Sequence, residues 1–258
     1  GIIKFIISKL RSTGLLSNLK HLGRNPMICD FGTGEATNYT SLINLLANEH
    51  DLDINPYGMD ISLSRIDVAR HFAAIESKGI IPKFFIGDLK KIPLLDDSID
   101  LSFTMHAIEP NLGSEEQILN EIIRVSRDYI VLHEPIYETA PDEQKKRMEK
   151  FGYIQTLRSS IHESNGVEII EESLFPEGLG NSVNRATLFI LRKKDKVSSP
   201  QREESGIYAC PLVGSKLIEQ NGYWLSLDGL CYPEINGIPI LREKYALPYY
   251  QQAKFLKT

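Results

Sequence analysis

The sequence predicts a doubly wound α/β fold, and three observations carry that prediction. Apolar segments of strand length recur along the first three-quarters of the chain, and helical patterns separate most of them. These segments are apolar throughout rather than alternating, as in strands covered on both faces. Such strands pair in parallel through right-handed crossovers and bind ligands at their carboxyl ends. The expected architecture is a seven-stranded, mostly parallel sheet with an antiparallel edge strand, followed by a small β-rich C-terminal domain.

Pro26 to Phe31 is the first strand, and the helical pattern from Glu35 to about Ala47 puts Tyr39, Leu42, Ile43 and Leu46 on one face. Ile54 to Met59 is the second strand, with Ser62 as N-cap of a helix carrying Ile66, Ala69, Ala73 and Ile75. Pro82 to Ile86 and Ile99 to Met105 are strands. Ser114 to Val125 is a helix with Glu115 and Glu116 in its first turn, where the helix dipole favours carboxylates. Tyr129 to His133 is a fifth strand, and a helical region opens at Pro141. Val167 to Glu171 and Ala186 to Leu191 have no helix between them, which suits an antiparallel edge hairpin. The first ten residues are apolar but contain lysines and are followed by no small-residue cleavage pattern. They are expected to form a helix against the main domain rather than a secretory signal. Glycine rather than methionine at position 1 points to a processed or engineered start.

The charged, Ser- and Pro-containing stretch from Arg192 to Gly206 has linker composition. The expected division is a main domain over 1–193, a linker over 194–206 and a small β-rich module over 207–258, in which Tyr223 to Leu225 and Ile238 to Leu241 are strands. The net charge of -5 gives no general attraction to a polyanion, so nucleic acid is not the expected partner. No apolar run reaches the roughly 18 residues that span a membrane. Cys29, Cys210 and Cys231 are too few and too irregular for a disulfide framework, which suits a reducing cytoplasm.

The turn Asp30-Phe31-Gly32-Thr33-Gly34-Glu35-Ala36 joins the first strand to the first helix of the repeat, where glycines let a ligand approach the backbone. A dinucleotide turn requires a third glycine that is absent here, and Asp30 and Glu35 disfavour a pyrophosphate. The segment resembles the acidic, apolar, G-x-G-x-G pattern of class I S-adenosylmethionine-dependent methyltransferases of the type 11-like kind, with Ala36 in place of the last glycine. That resemblance covers about residues 25 to 193 and implies a Rossmann-like fold with S-adenosylmethionine as cofactor. It further implies that Asp30, Gly32, Thr33, Gly34 and Met105 contact the cofactor. Asp60 with Ile61 after the second strand would serve the ribose, and Asp88 with Leu89 after the third the adenine. A carboxylate suits the ribose because its two oxygens accept from a vicinal diol.

Methyl transfer is an in-line displacement at a sulfonium, so the protein positions the acceptor and, for a hydroxyl, removes its proton. The segments 105–111 and 133–137 follow the fourth and fifth strands, where the methyl group should sit. His106 is the candidate base because imidazole titrates near neutrality, with Glu109 orienting it. His133 and Glu134 are the further catalytic candidates. No metal is expected, because the family's metal-binding aspartate pattern is not evident. The family's N-methyltransferase signature, Asp/Asn-Pro-Pro-aromatic, is absent after strand four, which favours O-methylation or methylation of another acceptor. The expected substrate is a small acceptor hydroxyl, such as that of a sugar, glycan precursor or secondary metabolite.

The tail from Tyr208 to Leu241 resembles the small zinc-ribbon-like activator subunit of tRNA and rRNA methyltransferases. In that family two Cys-x-x-Cys pairs bind zinc; here those positions read Cys210, Val213, Leu225 and Asp228, and no structural zinc is expected. The resemblance implies two competing roles, an RNA methyltransferase or a non-catalytic S-adenosylmethionine-binding partner. It also allows a homodimer or protein contact through the tail.

Overall fold

The computed structural model describes residues 1–176, 178–179, 184–194 and 206–249. Its main sheet contains β1 (Met27–Phe31), β2 (Asn55–Asp60), β3 (Lys83–Ile86), β4 (Ile99–Met105), β5 (Ser126–Pro135), β6 (Val167–Leu174) and β7 (Ala186–Lys193). Their order is β3-β2-β1-β4-β5-β7-β6. Strands β1 to β5 run parallel, and β7 is antiparallel to both β5 and β6. This is the expected seven-stranded sheet. The strand order reverses between β1 and β4, so their carboxyl ends form the crevice in which such folds bind ligands.

Helices α1 (Ile2–Ser12), α2 (Leu15–Lys20), α3 (Thr37–Asn48) and α4 (Leu63–Glu76) supply the apolar residues of one face, among them Ile6, Leu10, Leu15, Leu42, Ile43 and Ile66. Helices α5 (Glu115–Val125), α6 (Asp142–Phe151) and α7 (Leu157–Glu163) cover the other. The expected N-terminal helix is present as α1, tied to β6 by Lys9 Nζ and Glu171 Oε1 at 2.5 Å. Ser62 caps α4 by accepting from Arg65 N. Ile66, Ala69 and Ala73 of α4 are buried, but Ile75 is 79% exposed. Nine residues separate Ile66 from Ile75, which at 3.6 residues per turn puts them on opposite sides of the helix. Helix α3 starts two residues later than its pattern suggested, because Ala36 is left-handed (φ 57°) and cannot belong to it.

The C-terminal residues form a second sheet from β8 (Leu217–Gln220), β9 (Tyr223–Ser226), β10 (Leu230–Ile235) and β11 (Ile238–Pro239), with β12 (Leu247–Pro248) also paired to β10. Most of the expected linker, residues 195–205, lies outside the described residues. No helix joins β3 to β4, and the module occupies the sheet face that one would cover. The Tyr208 ring meets Phe85 of β3 edge-on at 5.1 Å and Tyr57 of β2 at 6.5 Å, with Trp224 behind it at 4.7 Å. At the sheet's open edge Ile240 pairs in parallel with Ile86, and Leu241 N donates to Ile86 O at 2.9 Å. The module is thus separate in sequence but shares a core with the main domain.

At the positions compared with a zinc ribbon, Cys210 Sγ lies 3.2 Å from Tyr232 Oη and Ser215 donates to Asp228. Leu225 is buried and Val213 is 55% exposed. Among the described residues no group of three or more His, Cys, Asp or Glu side chains gathers to hold a metal, and no helix is long and apolar enough to cross a membrane.

Candidate active site

The glycine turn is shaped by what lies above it. Gly32 has φ +80°, and a Cβ there would stand 2.3 Å from the Ala107 Cβ in the loop after β4. Both conformation and space therefore require glycine. Gly34 (φ +56°) is favoured by conformation alone, since a Cβ would meet nothing closer than Arg65 Nη1 at 3.7 Å. Gly32 N and Thr33 N both donate to Met59 O, at 2.8 and 2.9 Å, which fastens the turn to the end of β2. Gly34 N then donates to Asp60 Oδ2 and Ser62 N to Asp60 Oδ1, each at 2.9 Å. Two backbone donors fix this carboxylate, and each oxygen keeps a lone pair for a ligand hydroxyl.

Asp30 is 5% exposed, and its Oδ1 has no hydrogen-bond partner. Burial raises its pKa to about 7, helped by the charges of Asp60 and Glu134. An enclosed carboxylate with an unsatisfied oxygen, among other carboxylates, is a poor site for a pyrophosphate and a good one for a cation. Farther along the sheet edge, Asp88 Oδ1 accepts from Lys90 N at 3.0 Å and Asp88 Oδ2 faces Arg242 Nη2 at 3.4 Å. Ile61 is 52% exposed beyond Asp60, while Leu89 and Met105 are half-buried. The residues expected to bind the cofactor thus line the carboxyl ends of β1 to β4.

The loop after β4 begins with His106 in a left-handed conformation (φ 53°), an unfavourable state for a non-glycine residue. Its N donates to His133 O at 3.0 Å. Glu134 is fully buried, its Oε1 accepting from Ala107 N at 3.0 Å and its Oε2 from Glu109 N at 3.4 Å. Expected as a catalytic group, Glu134 is enclosed and committed to backbone donors, so it shapes the 106–109 loop. His133, the other candidate on β5, is 2% exposed, and neither ring nitrogen has a partner. Its ring lies edge-on to Phe175 at 4.4 Å and to His106 at 5.2 Å. Burial, reinforced by His106, lowers its pKa to about 3, so it is neutral near pH 7.

His106 Nδ1 pairs with Glu109 Oε2 at 2.8 Å, which leaves Nε2 as the free nitrogen. Burial lowers the imidazole pKa, but the bond to Glu109 and the charges of Glu134 and Glu109 outweigh it, and the net shift is upward. Glu109 Oε1 accepts from Asn184 Nδ2 at 3.0 Å and lies 3.8 Å from Arg147 Nη1. Asn184 and Arg147 were not legible in the sequence, since they come from just before β7 and from α6 and share no local pattern with His106. A cavity of about 40 Å³ beside this pair is lined by His106, His133, Asn184, Phe175, Leu179 and Ile2. Asn184 Oδ1 is buried there without a partner.

Residues 29–129 match the family model described as Methyltransferase domain. A stretch of 112 residues is 27% identical to ajmaline N-methyltransferase of Rauvolfia serpentina, covering 42% of this chain and 38% of that protein. The fold is shared with magnesium protoporphyrin IX methyltransferase from Synechocystis PCC 6803, solved with bound S-adenosylhomocysteine. The TM-score is 0.55 at 16% identity, over 75% of this chain and 82% of that one. It is also shared with a solved complex of the Haloferax volcanii Trm112 methyltransferase activator and a methyltransferase (TM-score 0.51, 14% identity, 74% of this chain and 94% of that one). Residues 29–129 thus match a methyltransferase domain, and the glycine turn with its carboxylates stands at the edge of a sheet that shares its fold with a methyltransferase solved with S-adenosylhomocysteine.

Proposed function

We propose that this protein transfers a methyl group from S-adenosylmethionine to a hydroxyl of a small acceptor. In this reading Asp60, with Ile61 beside it, receives the ribose hydroxyls, and Asp88, with Leu89 beside it, the adenine amino group. Asp30, Gly32, Thr33, Gly34 and Met105 line the rest of the cofactor site. The bound cofactor supplies an electrophilic methyl group on a cationic sulfur. The His106–Glu109 pair is the observation that carries the choice of a hydroxyl. Glu109 holds the Nδ1 proton so that Nε2 is free to take the acceptor's proton, and the ion created is stabilised by the same carboxylate. A hydroxyl needs that help more than an amine, which attacks through its own lone pair.

The cavity beside His106 has room for about one small substituent, since a water occupies roughly 30 Å³ in the liquid. The unpartnered Asn184 Oδ1 and His133 ring offer that substituent an acceptor and a donor. Together with the acidic net charge, this supports a small molecule over RNA. The unpaired cysteines suit a cytoplasmic enzyme.

Calorimetric titration with S-adenosylmethionine tests the first half. The expected result is binding that Asp60→Ala weakens at least tenfold; unaltered affinity in that variant refutes the assignment. Incubation with labelled methyl donor and either a metabolite extract or total RNA tests the second half. Label is expected in base-stable small molecules, and label confined to RNA overturns the small-acceptor reading.

A further inference from the structure

The C-terminal module reaches the cofactor site through one side chain. Asp60 is held at both oxygens by backbone donors, whereas Asp88 has one backbone donor, Lys90 N, on Oδ1. The second hold on Asp88 comes from Arg242 on Oδ2, 154 residues away in sequence. Arg242 is not a loosely placed surface arginine. It directly follows Ile240 and Leu241, which are 4% and 0% exposed and extend the sheet beside Ile86. A second anchor lies in the turn between β10 and β11, where the Arg70 guanidinium of α4 donates to Asn236 O. The Arg242 side chain is 19% exposed and that of Asp88 31%.

We infer that Arg242 is a positioning residue of the cofactor site, orienting the Asp88 carboxylate to accept from the adenine amino group. The inference rests on the assignment of Asp88 to adenine given above. Without Arg242 the carboxylate keeps one hold and rotates, and binding must then order it at the expense of affinity. Arg242 leaves one lone pair of Oδ2 and the remaining one of Oδ1 for the ligand, so the same carboxylate serves both partners. The module is therefore part of the cofactor site.

The alternative is an ordinary interdomain ion pair with no bearing on adenine. Two ligands separate these, S-adenosylhomocysteine and its analogue with hydrogen in place of the adenine amino group, titrated calorimetrically into the full chain. Arg242→Met is expected to weaken S-adenosylhomocysteine roughly three- to tenfold and to leave the analogue within about twofold. Arg242→Gln, which keeps a donor and disturbs packing less, should show a smaller loss with the same selectivity, and it decides the matter if Arg242→Met unfolds. Unchanged binding of S-adenosylhomocysteine, or equal loss for both ligands, overturns the inference. Asp88→Ala should weaken S-adenosylhomocysteine and abolish any further effect of Arg242→Met. If Asp88→Ala leaves that affinity intact, the adenine assignment itself fails and the inference falls with it.

Discussion

Asp30 should make the protein less stable as the pH rises, and replacing it should remove that dependence. Its carboxyl is raised from an ordinary 3.8 to about 7 by burial. Between those values the folded state holds a proton that the unfolded chain has lost, so stability falls as pH rises and stops falling above about 7. At roughly 1.4 kcal/mol per pH unit, the wild type should lose about 2.5 kcal/mol between about pH 5 and pH 8 through this group. Asp30→Asn keeps the shape and cannot ionise. Urea unfolding of both proteins at both pH values gives a double difference in which the other titrating groups cancel. The wild type is expected to fall about 2.5 kcal/mol further than the variant, or several degrees in Tm. In the same window a cationic ligand favours the ionised form, so affinity for S-adenosylmethionine should improve as pH rises through about 7 in the wild type and stay flat in Asp30→Asn. Parallel loss of stability in the two proteins would refute the argument, because it would mean that the buried oxygen is not a site of differential proton binding.

Four further expectations concern the glycine turn, the base and the module. His106→Ala should lower kcat by about 100- to 10,000-fold with little change in cofactor affinity, measured by turnover alongside calorimetry. The rate needs neutral His106, whose pKa is raised, so it should climb through an inflection above the ordinary imidazole value of 6.5. In Glu109→Gln that inflection should move to lower pH while the plateau rate drops, and an unmoved profile removes the pair from the mechanism. Gly32→Ala places a methyl 2.3 Å from the Ala107 Cβ at a left-handed φ, so it should destabilise the fold by about 2 kcal/mol or more and abolish cofactor binding. Ending the chain after Lys194 uncovers Tyr57 and Phe85 on the sheet face and Leu94 in the segment between β3 and β4. At about 2 kcal/mol for each large apolar side chain this approaches a typical domain's whole stability, and the shortened chain should be unfolded or aggregated by circular dichroism and gel filtration.

The strand pattern, the antiparallel edge and the carboxylates at the strand ends were legible in the sequence because they are local. A strand buried on both faces must be apolar throughout, and a glycine turn must follow it wherever backbone has to approach a ligand. Ile75 shows the limit of that reading, since an apolar residue on a helix does not by itself say which side faces the core. Tertiary structure decided the rest. His133 and Glu134 sit beside His106 in the folded chain, but the antiparallel neighbour β7 encloses them, so one packs against rings and the other holds a loop. Asn184, Arg147 and Arg242 reach the site from distant segments, and only the folded sheet brings them within hydrogen-bonding or ion-pairing range. The division of the chain changed in the same way. Composition separates residues 207–258 from the main domain, yet the absent helix between β3 and β4 leaves a sheet face that Tyr208 and its neighbours cover. Burial of that face, which no local pattern records, makes the two parts one core.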